Sequence, residues 1–424
     1  VTQERDHAGQ ADKLDWTGRR LEVEVGPVAH GGHCVARYEG RVVFVRHALP
    51  GEVVFAEVTE DPGRGFCRAD AVEVKSAAPG RVRPPCPLAA PELGTARCGG
   101  CDWQHADETT QRELKGAVVT EQLQRIAGLN HPVTVQALPG GPLRWRGRVR
   151  LAVGRDGRVG FRAHRSHRVV PVQDCPITVE GTLDAVVDRR WTATSEVEVT
   201  RDADEQVHVT AHRRDRDRRG GRAPRSKPVP HRIAGADTAH ETAAGRAWRV
   251  APHGFWQVHR HAGDVFSAVV NRMAAAPEGG VAWDLYGGVG LFAAGLAEQV
   301  GSAGSVLLVE SSRRAVKDAQ ANLADLPQVE FRAQTVESAL STPGARPDVV
   351  VLDPPRKGAG REVVEAIGVH RPQRIVHVAC DPAALARDVA LFAEQGYRLA
   401  DLEAFDAFPM THHVECIALL ERDE

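Results

Sequence analysis

The chain has 424 residues, 42% hydrophobic and 26% charged, with a formal net charge of -2. That length and composition suit a globular protein of two or three domains, at about 150 residues each. They exclude a membrane-spanning helix, because no apolar run reaches about 18 residues. Eight cysteines are sparse for a disulfide scaffold. Residues 1–16 are polar and charged, lack the apolar core of a signal peptide, and read as a disordered lead on a cytoplasmic protein.

Residues 17–76 read as a small β-barrel. Four short alternating or β-branched runs (21–25, 41–45, 52–58 and 69–74) are punctuated by Gly31-Gly32, Pro50-Gly51 and Asp61-Pro62-Gly63. Small five-stranded barrels of this kind bind oligonucleotides. The glycine pair, the basic-apolar strand and the Leu-Pro-Gly-Glu turn that follow one another here resemble the TRAM domain, an OB-like module of RNA-modifying enzymes.

Residues 77–250 read as an α+β central domain. Cys98-Gly-Gly-Cys101, with Cys86 upstream and Cys175 downstream, is a metal-site signature. Four thiolates suit tetrahedral zinc or an iron–sulfur cluster, and spacing leaves both open. A redox pair is the third reading, but nothing thioredoxin-like surrounds it. His105 reads as a packing or helix-entry residue ahead of a further ligand. The pattern Leu114, Val118, Leu123, Ile126 predicts one amphipathic helix over 108–127, ended by Gly128. Stretches 143–151 and 159–170 alternate basic and apolar residues, which on strands gives an arginine-lined face open to phosphates. Residues 213–230 are basic and low in apolar content, and read as a disordered loop.

From residue 251 the pattern changes to alternating strands and helices, a Rossmann-like α/β domain. Val281-Ala-Trp-Asp284-Leu-Tyr286-Gly-Gly288-Val-Gly290 is a strand running into a glycine turn and a helix, where backbone can approach a cofactor. The next strand ends on Glu310, placed to meet ribose hydroxyls. Asp284-x-x-x-Gly-x-Gly suits S-adenosylmethionine better than a dinucleotide. A further strand ends in Asp353-Pro-Pro-Arg356, a loop found where methyltransferases act on planar bases.

The run Arg374-Ile-Val-His-Val-Ala-Cys380-Asp-Pro382 then delivers a thiol at the end of an apolar strand, where ligands of such sheets lie. A thiolate adding to C6 of uracil puts electron density on C5, which can then take a methyl group. A base must afterwards remove the C5 proton. Glu415, opening the second strand of a hairpin (397–405 with 414–421), is the candidate, and Cys416 points to the opposite face as core.

These motifs, together with Phe255-Trp-Gln-Val and Phe408-Pro-x-Thr-x-His-Val-Glu415, resemble the TRAM-bearing RNA (uracil-C5) methyltransferases from about residue 17 to the end. The resemblance implies Cys380 as nucleophile and Glu415 as proton acceptor. It implies a cofactor site of Gln257, Tyr286, Gly288, Glu310 and Asp353, with Leu291 and Thr335 adjoining, for S-adenosylmethionine. It implies a [4Fe–4S] cluster on Cys86, Cys98, Cys101 and Cys175, with zinc as the alternative. The substrate would be RNA, ribosomal ahead of transfer RNA, and the enzyme a monomer. The chain departs from the pattern in a longer Cys86–Cys98 interval and in His259, where asparagine is expected. The competing readings are a base methyltransferase that uses Asp353-Pro-Pro-Arg without covalent catalysis, and an inactive RNA-binding relative.

Overall fold

The computed structural model describes residues 15–192, 194–213, 229–341 and 345–423. The expected disordered lead and basic loop lie almost wholly outside the described residues. Among those residues no helix is long and apolar enough to cross a membrane.

The N-terminal unit is a five-stranded sheet of Arg20–Glu24, Cys34–Tyr38, Arg41–Arg46, Val53–Glu60 and Phe66–Ser76, in the order first, fourth, fifth, third, second. Alternation sets its buried side: Leu21 and Val23 face inward with Val43, Val45, Val54 and Ala56. The second strand is absent from the sequence reading because only Cys34 and Ala36 carry its buried face. Two small side chains make a weak signal. Gly26 N–H donates to Val35 O, and Val35 N–H to Pro27 O, stitching the end of the first strand to the second.

The segment expected as a central domain divides. Its larger part is a six-stranded sheet, ordered Val229–Ala234, Val207–Arg213, Thr194–Arg201, Arg148–Val153, Val159–Arg162, Val169–Pro171. Its arginines do not form the free basic face that alternation suggested. Arg150 pairs with Glu198, Arg162 with Glu196 at 3.3 Å, and buried Arg148 with Glu241 at 3.0 Å. Glutamates on Thr194–Arg201 and, for Arg148, on the separate strand Ala239–Ala243 pair with them, which only tertiary structure reveals.

The rest joins the C-terminal sheet. Helix Glu108–Gln122 continues into a π-turn, Leu123–Ala127, and stops at left-handed Gly128. The chain then returns as strand Val135–Ala137, parallel to Tyr397–Asp406. The hairpin Ala239–Ala243/Arg246–Val250 also packs into the C-terminal core, through Ala243, Trp248 and Val250. The boundary expected at residue 250 therefore falls inside packed structure.

The C-terminal sheet has eight strands, ordered Val329–Arg332, Ser305–Val309, Val281–Leu285, Val349–Leu352, Arg374–Ala379, Glu415–Arg422, Tyr397–Asp406, Val135–Ala137. The first five are parallel, and Glu415–Arg422 runs antiparallel to both of its neighbours, Arg374–Ala379 and Tyr397–Asp406. All four residues of Val349–Leu352 are buried because helices cover both faces. Val351, Val376 and Val378 meet Phe266, Val270 and Leu296 on one side. Val350, Leu352 and Ile375 meet Val363, Ile367, Leu385 and Phe392 on the other. Strand order reverses between Val281–Leu285 and Val349–Leu352, where sheets of this kind open a crevice at their carboxyl ends.

Candidate active site

The crevice is a cavity of about 1110 Å³, and it gathers most of the expected residues: Gln257, Tyr286, Gly288, Glu310, Asp353, Cys380 and Glu415. Gly288 has φ +54°, a left-handed conformation that suits glycine, and a Cβ there would meet open space rather than protein. Its N–H donates to Glu310 Oε2 at 3.3 Å, and Ser312 N–H donates to Glu310 Oε1 at 2.6 Å. Below the turn, fully buried Asp284 accepts from Ala293 N–H at 2.9 Å, tying the loop to the helix it opens. Burial pushes the Asp284 carboxyl up to about 7, and its other oxygen has no partner among the described residues.

Two expected cofactor residues lie elsewhere. Leu291 is the first residue of helix Leu291–Val300 and packs into the core. Thr335 caps helix Val336–Leu340, its hydroxyl accepting from Ser338 N–H at 3.3 Å. Neither side chain lines the cavity. Each is spent on local structure.

Cys380 follows strand Arg374–Ala379, and Asp381 caps the next helix by accepting from Ala384 N–H at 2.8 Å. In the antiparallel register Ala379 faces Cys416, so Cys380 and Glu415 arrive at the same end of adjacent strands. Cys416 is fully buried in the core, as the alternation expects. Burial, then the carboxylates of Glu415 and Asp353, pushes the Cys380 thiol up to about 12, against the opposing charge of Arg356. Burial first, then Asp353, holds Glu415 well above the usual carboxylate range. Asp353 rises to about 7 through burial alone. Burial and the neighbouring carboxylates thus favour the uncharged form of both Cys380 and Glu415.

Residues that the sequence reading did not assign hold this arrangement. His412 Nδ1 lies 2.6 Å from Asp102 Oδ2, and the N–H groups of Asp102 and Trp103 both donate to Met410 O at 3.0 Å. Lys115, fully buried, pairs with Asp406 and donates to Phe408 O at 3.1 Å. From the N-terminal sheet, His30 Nε2 lies 2.9 Å from Asp381 Oδ2, and Gly32 O accepts from Trp103 Nε1 at 3.1 Å. A Cβ on Gly32 would sit 2.7 Å from His412 Cβ, so that approach requires glycine. The signal was present in the motifs: Asp102 and Trp103 follow Cys101, and His412 and His413 precede Glu415.

Cys86, Cys98, Cys101 and Cys175 line a separate small cavity with Leu88, Arg146 and Ile177. Burial pushes Cys98 up to about 11 and Cys101 higher, with neighbouring thiols adding to the cost of ionisation. Four thiols, those of Cys86 and Cys175 buried and those of Cys98 and Cys101 partly so, are of the donor type a thiophilic metal takes, and a cation would offset that cost. As the side chains stand, however, no three His, Cys, Asp or Glu among the described residues are arranged to hold a metal ion.

Residues 345–423 match the family described as tRNA (Uracil-5-)-methyltransferase, and residues 16–72 match the TRAM domain. The chain is 46% identical to an uncharacterized RNA methyltransferase of Streptomyces coelicolor, over 97% of this chain and 94% of that protein. It is 40% identical to one of Corynebacterium efficiens, over 96% and 95%. Its fold matches the crystal structure of Pyrococcus abyssi tRNA (uracil-54, C5)-methyltransferase in complex with S-adenosyl-L-homocysteine. That match has a TM-score of 0.69 and 21% identity, over 94% of this chain and 100% of that one.

The buried acid has a measurable consequence. Glu415 holds its proton more tightly folded than unfolded, so above the ordinary glutamate range the folded state binds more protons and stability falls as pH rises. Glu415→Gln removes that penalty. Its Tm advantage over wild type should grow from about pH 5 to about pH 8; an advantage that shrinks or stays flat contradicts the assignment.

Proposed function

This chain belongs to the S-adenosylmethionine-dependent RNA methyltransferases of the tRNA (uracil-5-)-methyltransferase family that carry a TRAM domain, and on that premise we propose that it methylates C5 of uridine through a covalent Cys380 adduct. The observation that carries this reading is the placement of Cys380 and Glu415 at one end of adjacent strands, facing one cavity with Asp353. Ribosomal RNA, ahead of transfer RNA, is the proposed substrate.

S-adenosylmethionine, when bound, supplies an electrophilic methyl group. Gly288 and Glu310 offer backbone approach and a carboxylate for it, and Gln257 and Tyr286 line the same cavity. Cys380 Sγ bonds to C6 of the uracil, raising electron density at C5. C5 then takes the methyl group as its bond to the donor's sulfonium breaks, the ionised Glu415 carboxylate takes the C5 proton, and the S–C6 bond breaks as the C5–C6 double bond re-forms, returning the Cys380 thiolate. Arg356 faces Cys380 and Glu415 with positive charge, which favours the ionised form of each. The cysteines Cys86, Cys98, Cys101 and Cys175 would hold a [4Fe–4S] cluster, with zinc as the alternative. Its role would be structural, since none of these steps moves an electron.

Cys380→Ala should lower turnover by on the order of 10⁴ or more. Glu415→Gln should form the adduct and fail to resolve it, leaving a protein–RNA species that survives a denaturing gel. Substantial turnover by Cys380→Ala would move the chemistry to a non-covalent route. For the cysteines, anaerobically prepared protein should contain about four iron and four sulfide per chain. One zinc per chain without iron would assign the other metal, and no metal at all would remove the centre.

A further inference from the structure

The catalytic cavity has a neighbour. His164 lines both it and a second cavity of about 400 Å³ between the N-terminal sheet and the six-stranded sheet. Arg46 and Arg68 reach the second cavity from strands Arg41–Arg46 and Phe66–Ser76. Arg97 comes from the chain before Cys98, and Arg165 from the turn after Val159–Arg162. These four arginines meet two carboxylates, Glu60 and Asp70, leaving an excess of two positive charges.

The pairing inside is incomplete. Glu60 accepts from Arg68 at 3.0 Å and from Arg165 at 2.8 Å. Asp70 lies 3.8 Å from Arg46, too far for a hydrogen bond. Arg46 is only 9% exposed, so a nine-tenths buried guanidinium stands without a hydrogen-bonded carboxylate. Arg97 Nε, His33 Nε2 and His164 Nε2 are also buried with no partner among the described residues. Four arginines against two carboxylates make the cavity a positively charged surface suited to an anion. Burial, then the surrounding arginines, holds His33 and His164 down to about 4, so both are neutral rings able to donate one hydrogen bond.

We propose that this cavity binds a backbone phosphate of the RNA whose target uridine lies at Cys380, an inference that rests on the RNA reading above. A phosphodiester offers two anionic oxygens to the planar fork of an arginine and to neutral imidazole donors. The shared wall at His164 joins the phosphate cavity to the catalytic one, so one strand can occupy both. The contact positions the RNA and carries no sequence information of its own.

The test is binding of unmodified ribosomal RNA across a salt series, by wild type, Arg46→Gln, Arg165→Gln and Arg398→Gln. Arg46→Gln should weaken binding about tenfold at 0.15 M salt and reduce the slope of log K against log salt by about one. Arg165 is half exposed, so its variant tests the same cavity without a folding risk and should shift binding in the same direction. Arg398→Gln removes an equal charge from the catalytic domain's surface and should change neither quantity. Inorganic phosphate, at constant ionic strength, should bind wild type weakly and compete with RNA. Wild-type affinity and slope in both cavity variants overturns the proposal. Tight phosphate binding that Arg46→Gln abolishes, with RNA binding intact, also overturns it and assigns the cavity to a free anion. Wild type that binds RNA but methylates no uridine sinks the functional reading alone; wild type that binds no RNA sinks both.

Discussion

The register between two strands decides what this molecule can do. Ala379 faces Cys416 across an antiparallel pair at the end of an otherwise parallel sheet, so the residues just beyond, Cys380 and Glu415, open into one crevice. A slip of one residue would turn Glu415 into the core and Cys416 toward the cavity. Full burial of Cys416, Ile417 and Ala418 against the helices opposes that slip. The packing energy of the sheet thus fixes the chemistry at its end.

The remaining parts bear on the short segment 407–414 that leads into Glu415. Lys115, from a helix nearly 300 positions earlier, holds Asp406 and Phe408; Gln111 of the same helix accepts from Met410 N–H at 2.7 Å. Asp102 and Trp103, beside the cysteine pair, hold Met410 and His412. The N-terminal unit reaches the same segment through Gly32, which packs against His412. A loop held from three sides brings the Glu415 carboxyl to the cavity, where burial raises it as it raises the Cys380 thiol.

Local pattern made much of this legible. The apolar run before Cys380, the glycine turn after Asp284, the carboxylate ending the next strand and the terminal hairpin all stand where their sequence placed them. Non-local pairing was the limit. Strand Val135–Ala137 is three residues long and finds its partner about 270 positions away, so no window could show it. The arginines of Arg148–Val153 looked free because their glutamates sit on strands that sequence order does not put beside them. Leu291 and Thr335 occupy positions next to the cofactor turn and strand, yet side-chain direction sends one into the core and the other to a helix cap. The four cysteines do meet at one cavity, but spacing could not supply their arrangement.

The most direct measurement is the identity of the methylated nucleoside. Unmodified ribosomal and transfer RNA would be incubated separately with the enzyme and S-adenosylmethionine labelled in its methyl group, then digested and resolved. The account predicts label in 5-methyluridine from ribosomal RNA. Label in any other nucleoside would contradict C5 chemistry, and 5-methyluridine from transfer RNA alone would keep the chemistry and overturn the substrate.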